Sequence, residues 1–157
     1  MKMKSRRKVL CMLIVMITGL YNGTWFVNRM YYTQLCSGEY QYSTKNTYYR
    51  CGTCCTYSIK IPDYLSFVGN YSINIGDNVI LIIWPDFLKT NCSYGVQISY
   101  GNEVIYAYVD AKADYVHDDS LEYSSGEERK VTEVIKKRKA IIQELLQAAD
   151  AEWGCVS

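Results

Sequence analysis

The segment Val96-Gln-Ile-Ser-Tyr100-Gly-Asn-Glu103-Val-Ile-Tyr-Ala-Tyr-Val109 carries the clearest structural signal in the chain. Val96, Ile98 and Tyr100 alternate with polar residues, and Val104, Tyr106 and Tyr108 take up the alternation beyond Gly101-Asn102. Side chains in a strand point to opposite faces in turn, so two alternating runs joined by Gly-Asn predict a tight β-hairpin with a type I′ or II′ turn.

The same grammar extends towards the N-terminus. Tyr57, Ile59 and Ile61 alternate with Ser58 and Lys60 and stop at Pro62-Asp63; Tyr71, Ile73 and Ile75 alternate until Gly76-Asp77. Val79–Trp84 is a continuous apolar run, which predicts a strand buried on both faces, and Pro85-Asp86 ends it. Tyr40 and Tyr42 alternate near the start of this region, and the stretches TYYR and TYSIKI beside the central cysteines read as strands. Five or six short strands with regular turn punctuation predict a small antiparallel β-barrel or sandwich over residues 30–112. The step Gly76-Asp77-Asn78-Val79-Ile80-Leu81 resembles the turn-then-strand step of small OB-like or SH3-like barrels; such a resemblance implies no function.

Beyond the hairpin the composition changes. Residues 113–126 are acidic and polar and read as a linker; with Asp110 they hold Asp114, His117, Asp118, Asp119 and Glu122. Residues 127–153 then carry Val131, Val134, Ile135, Ile141, Ile142, Leu145, Leu146 and Ala149 at helical spacing, which predicts an amphipathic helix. Ser125 and Glu128 have capping-box spacing, and Gly154 is the expected stop. The fold class is therefore α+β.

The N-terminus reads differently. Residues 1–8, MKMKSRRK, hold five basic side chains and run straight into the apolar stretch Val9–Tyr21. This is the pattern of an export signal or a membrane anchor within residues 1–29. Small residues around Gly19, Gly23 and Thr24 are poorly paired for a cleaved signal. Val9–Val27, at ~1.5 Å per residue, reaches about 28 Å, near the ~30 Å of a bilayer's hydrocarbon core. Trp25, Phe26, Tyr31 and Tyr32 suit an interfacial belt. An ordinary buried segment is the third reading. An anchor with this basic start leaves the N-terminus in the cytoplasm and sends the C-terminal domain outside.

Seven cysteines are present. Cys11 lies in the apolar run and reads as a small hydrophobe. Cys36, Cys51, Cys54, Cys55, Cys92 and Cys155 make an even set, and in an exported domain an even set predicts disulfides, with the pairing open. Cys54 and Cys55 are expected to serve different partners, because neighbours in an extended segment face opposite ways. Cys51-Gly-Thr-Cys54 also has the C-x-x-C spacing of a redox dithiol. That chemistry wants a helix N-terminus to lower the thiol pKa, and the strand-like flanks argue against one. A zinc site lacks a second ligand pair, since His117 is the sole histidine. Asn70-Tyr-Ser72 and Asn91-Cys-Ser93 are candidate glycosylation sequons; Asn22-Gly-Thr24 lies too near the expected membrane.

Other chemistry finds little support. Lys plus Arg number 17 against 16 Asp plus Glu, so the basic excess of a nucleic-acid binder is missing. There is no phosphate-cradling glycine motif, and the calcium-loop pattern is absent from the acidic segment. The basic run Lys136–Lys139 is balanced by acids along its own helix and reads as a solvated face. No catalytic, cofactor or metal residues are assigned. Sixteen tyrosines suit both cross-strand pairs and a binding surface. The expected role is non-catalytic: a small exported or membrane-anchored protein for binding, assembly or envelope interaction. Its partners are the membrane, through the N-terminal segment, and a protein, through the C-terminal helix or the Tyr-rich surface. The alternatives are a thiol–disulfide oxidoreductase using Cys51 and Cys54, and a cytosolic structural protein with reduced cysteines.

Overall fold

A computed structural model describes residues 2–155 apart from Leu65, Asp77 and Glu122, with side chains from Arg7 onward. The expected roles of Asp77 and Glu122, and of the side chains of Lys2, Lys4 and Arg6, lie outside the described residues. The chain runs from a long helix, α1 (Lys2–Leu35), through eight strands to a second long helix, α2 (Ser125–Trp153). The strands are β1 (Gln41–Tyr42), β2 (Thr47–Cys51), β3 (Thr56–Lys60), β4 (Asn70–Asn74), β5 (Val79–Pro85), β6 (Cys92–Tyr100), β7 (Glu103–Val109) and β8 (Tyr115–Val116).

Every strand pairs antiparallel with its neighbour in sequence, giving one open meander in the order β1 to β8. The expected five- or six-stranded barrel is thus an open eight-stranded sheet. The sheet has no need to close on itself, because α2 covers one face. Eight strands at ~4.8 Å span about 34 Å, and a 29-residue helix at ~1.5 Å per residue reaches about 43 Å, long enough to cross them. The edges are two residues long each, which limits the unpaired backbone that an open sheet exposes.

Register separates the two faces cleanly. Tyr71 opposes Ile83, Ile73 opposes Leu81, Leu81 opposes Val96 and Val96 opposes Ala107 on the covered face. These residues pack with Ile59, Val79 and Ile98 against Val131, Val134, Ile135, Ile142, Leu145, Leu146 and Ala149 of α2. The run Val79–Trp84 is therefore buried on one face only: Val79, Leu81 and Ile83 are buried, whereas Ile80, Ile82 and Trp84 are half-buried on the other. Among the described residues no second layer covers that other face.

The hairpin forms at the expected place, with Tyr100 opposite Glu103. Gly101 has a φ of +63° and Asn102 does not share the positive sign, the pattern of a type II′ turn. The α2 cap differs by one residue from the expected Ser125–Glu128 box. Ser124 is the cap, its side chain accepting from the Glu127 N–H while the Glu127 carboxylate accepts from the Ser124 N–H. Gly154 ends the helix in the left-handed conformation.

The acidic segment is a strap and not a free linker. Its β8 closes the sheet edge, and Ala113 is fully buried. The Asp110 carboxylate caps the turn by accepting from the backbone N–H groups of Lys112 and Asp114. Lys139 on α2 pairs with Asp114 at 2.5 Å, and Gln143 donates to the Lys112 carbonyl.

Candidate functional site: the helix junction and the uncovered sheet face

α1 changes character along its length. From Val9 to Leu20 every side chain is exposed, including Leu10, Met12, Val15, Met16, Ile17 and Leu20. Arg7–Leu35 is long and apolar enough to cross a membrane. From Tyr21 onward the same helix is fastened to the sheet domain. The Tyr21 hydroxyl donates to the Tyr64 carbonyl at 2.6 Å, and the Tyr64 hydroxyl donates back to Asn22 Oδ1 at 2.8 Å. Trp25 Nε1 donates to the Asp63 carbonyl at 2.8 Å, and Arg29 donates to the Pro62 carbonyl at 3.0 Å. Lys89 Nζ donates to Asn28 Oδ1 at 2.6 Å and lies 4.2 Å from the Tyr31 ring centre, a cation–π contact. Tyr32 is fully buried beside Tyr71, and Cys36 joins the core where the helix ends. Five hydrogen bonds and one cation–π contact, spread over about three helical turns from Tyr21 to Tyr31, fasten the helix to the domain, and Tyr32 and Cys36 extend the attachment into the core.

The uncovered sheet face is the second feature. Ile80, Ile82 and Trp84 of β5 lie opposite Gln97, Gly95 and Ser93 of β6, and Val104, Tyr106 and Tyr108 of β7 follow beyond Ser99, Gln97 and Gly95. Val104, Tyr106 and Val116 are each 42–49% exposed. Trp84 lies flat across Gly95: a Cβ there would stand 2.6 Å from the indole ring, so only glycine leaves the ring this seat. Trp84 also meets Tyr108, with ring centres 5.8 Å apart. Thr56, Ser58, Ser72 and Asn74 extend the face on its other side. Its middle is thus aromatic and aliphatic, its flank along β3 and β4 is uncharged and polar, and charge stands at the margins, with Lys60 at one and Asp118 beside Ser93, Tyr108 and Val116 at the other.

The six candidate cysteines lie in three places, and no disulfide joins them in this structure. Cys36 and Cys55 are buried in the core. Cys51 ends β2, and Cys54 and Cys55 lie in the tight loop to β3, where the Gly52 N–H donates to the Cys55 carbonyl. Because this segment is a turn, Cys54 and Cys55 do not diverge; their sulfurs are 3.7 Å apart. Cys55 pushes the Cys54 thiol pKa up. Cys51 sits at the end of a strand, and among the described residues no helix begins beside it to favour a thiolate. Cys92 and Cys155 line one cavity of about 400 Å³ with Tyr71, Tyr94 and Trp153. Burial raises the Cys155 thiol to about 12, the neighbouring Cys92 adding to the shift, and burial likewise raises Cys92. The Tyr94 hydroxyl donates to the Cys155 carbonyl at 2.8 Å and holds the tail there.

Asn70 is half-buried at the start of β4. Asn91 is exposed in the loop before β6, with its amide donating to the Asp86 carboxylate. His117 is exposed and lies between two acids: Nδ1 is 2.8 Å from Glu128 and Nε2 is 3.1 Å from Asp119. The two carboxylates, Glu128 foremost, raise its pKa above 6.5. Among the described residues no three His, Cys, Asp or Glu side chains converge as a metal site. The stripe of α2 is occupied by the sheet, so the side this helix turns to solvent is its charged one, with Lys136 and Lys137 exposed.

Of the α1 residues that touch the domain, Trp25, Tyr31 and Tyr32 read from the sequence as an interfacial belt, Tyr21 as the end of the apolar run and Asn22 as a sequon; Asn28, Arg29 and Lys89 carry no expectation. Polar residues inside an otherwise apolar helix are the signal that marks them, because a buried amide or guanidinium needs a partner. No family model, curated protein or solved structure matches the chain.

Proposed function

We propose that this protein is a membrane-anchored, non-catalytic binding module. α1 spans the bilayer and the sheet domain stands outside the cytoplasm. One observation supports this above the others. A single unbroken helix has an apolar first part with nothing in the fold to cover it and a second part bolted to the domain. Exposed Leu, Ile, Val and Met around a whole helix circumference are unfavourable in water at roughly 25 cal/mol per Å², and lipid removes that cost. The basic residues before Val9 orient the N-terminus inward.

The uncovered sheet face is the proposed binding surface, and its ligand is a protein. Aromatic and aliphatic side chains flanked by uncharged hydroxyls and amides match the composition of interface centres. The α2 stripe, already packed on the sheet, is the weaker candidate.

The test is extraction and protection of the full chain carrying a C-terminal tag. The proposal expects the protein to stay in the membrane pellet through alkaline carbonate, and the tag to be digested by protease added outside intact cells or spheroplasts. Release by carbonate, or a tag protected until the membrane is broken, would overturn it.

A further inference from the structure

The meander places the β1–β2, β3–β4, β5–β6 and β7–β8 loops at one end of the sheet, the end to which α1 is fastened. These four loops are not alike. Ser43-Thr44-Lys45-Asn46 and Asp110-Ala111-Lys112-Ala113-Asp114 are polar turns. The β3–β4 loop presents Tyr64, 50% exposed, and Phe67; the β5–β6 loop presents Phe87 and Leu88, 47% and 74% exposed. These two apolar loops reach α1 from Gly19 to Trp25, whereas the β1–β2 loop touches it further along, where Asn46 accepts from Arg29 at 3.4 Å. Phe67 meets the Tyr21 ring at 4.8 Å and the Phe87 ring at 6.1 Å. Phe87 shares a cleft with Gly19, Leu20, Gly23, Thr24 and Val27 of α1.

Length arithmetic then constrains where they lie. Crossing a ~30 Å hydrocarbon core takes about 20 helical residues, which from Val9 extends to Asn28. The loops already close on α1 at Gly19 and Leu20. The part of the helix before that contact, Val9–Thr18, reaches only about 15 Å at ~1.5 Å per residue. The bilayer's outer boundary must therefore accommodate what surrounds the helix over roughly its next three turns.

We propose that Tyr64, Phe67, Phe87 and Leu88 form, with Trp25 and Phe26 of α1, a collar seated in the outer boundary of the lipid bilayer. This rests on α1 being the membrane span. The chemistry of the loops fits that place. Tyrosine and tryptophan favour the headgroup level, and phenylalanine and leucine the acyl chains just beneath. The nearby carboxylates turn back towards the domain. Asp63 accepts from Asn46 at 2.7 Å and pairs with Lys60 at 3.5 Å. Asp86 accepts from the Thr90 hydroxyl and N–H, each at 2.8 Å. The collar holds the domain directly against the membrane in one orientation, with its sheet standing away from the surface.

The full chain is reconstituted in phosphatidylcholine vesicles with a diazirine analogue of leucine in place of Leu88, Leu13 or Lys112, each an exposed position in the fold. After illumination, lipid adducts are read by mass spectrometry. The collar predicts adducts at positions 13 and 88 and their loss at 112, which lies at the same end of the sheet on a polar loop. Adducts at 13 without adducts at 88 would overturn the collar and leave the span standing. Adducts at neither position would overturn the span and the collar with it. Adducts at 112 matching those at 88 would overturn the collar by showing contact with no selectivity between loops.

Discussion

The first part of α1 and the whole of α2 are helices of similar regularity in opposite surroundings. α2 buries seven side chains at three- and four-residue spacing and turns its charges outward. Val9–Leu20 buries none and is apolar on every side. Secondary structure is the same in both, because intrahelical hydrogen bonds satisfy the backbone in either case. What differs is the solvent each side-chain pattern matches: a one-sided stripe fits the boundary between a sheet and water, and an all-round apolar surface fits lipid. The second part of α1 joins these two patterns, using Asn22, Asn28 and Arg29 to fasten the helix to the sheet domain.

The strongest way to break this contrast is to truncate one side chain in each helix. Leu145→Ala removes a fully buried side chain and is expected to cost about 2–5 kcal/mol in urea unfolding of the detergent-solubilised chain. Leu13→Ala should shift the same transition by less than about 0.5 kcal/mol. Equal effects would mean that the fold covers Val9–Leu20 after all. Next in size is the uncovered face. Gly95→Ala drives a Cβ into the Trp84 ring and should cost about 1–3 kcal/mol, with a shift in tryptophan emission as the indole leaves its seat. An unchanged spectrum would place Trp84 elsewhere.

A smaller effect sharpens the description of α2. Ser124→Ala removes the cap and should cost about 1 kcal/mol, whereas Ser125→Ala should be near neutral. The reverse order would restore the cap position expected from the sequence. The smallest concerns the strap. His117, the only histidine, should titrate above 6.5 by NMR, and Glu128→Gln should move it back towards that value. Because the folded pKa is raised, the stabilisation from this contact is complete below about 6.5 and is lost as pH rises through the folded value. A titration unmoved by Glu128→Gln would show that the strap is not held there.

Much of this fold is legible in the sequence where a local rule sufficed. Val96–Val109 fixes a hairpin through alternation and Gly101, and the stripe from Val131 to Ala149 fixes a helix. What failed depends on non-local facts. Alternation in Val79–Trp84 is hidden because both faces carry apolar residues, so nothing local says that only one face receives a helix. Barrel closure is likewise a question of whether β1 meets β8, which no strand records. Tyr115-Val116 is too short a pair to stand out from acidic neighbours, although it closes the edge. The Cys54–Cys55 approach follows from a turn, and the expectation of divergence assumed an extended chain. The candidate site was legible in part: the apolar run announces a helix long and apolar enough to cross a membrane, but Tyr64, Phe67, Phe87 and Leu88 become one surface only when the meander brings two loops to α1.

Whether lipid covers Val9–Leu20 can be read from a probe the chain already carries, Cys11, an exposed thiol within that stretch. The full chain is placed in sealed vesicles, treated outside with an impermeant phosphine reductant, and then labelled from outside with an impermeant maleimide. The account predicts that Cys54, exposed on the sheet domain, is labelled while Cys11 reacts only after the membrane is dissolved in denaturing detergent. Labelling of Cys11 in intact vesicles, at a rate matching Cys54, would contradict it.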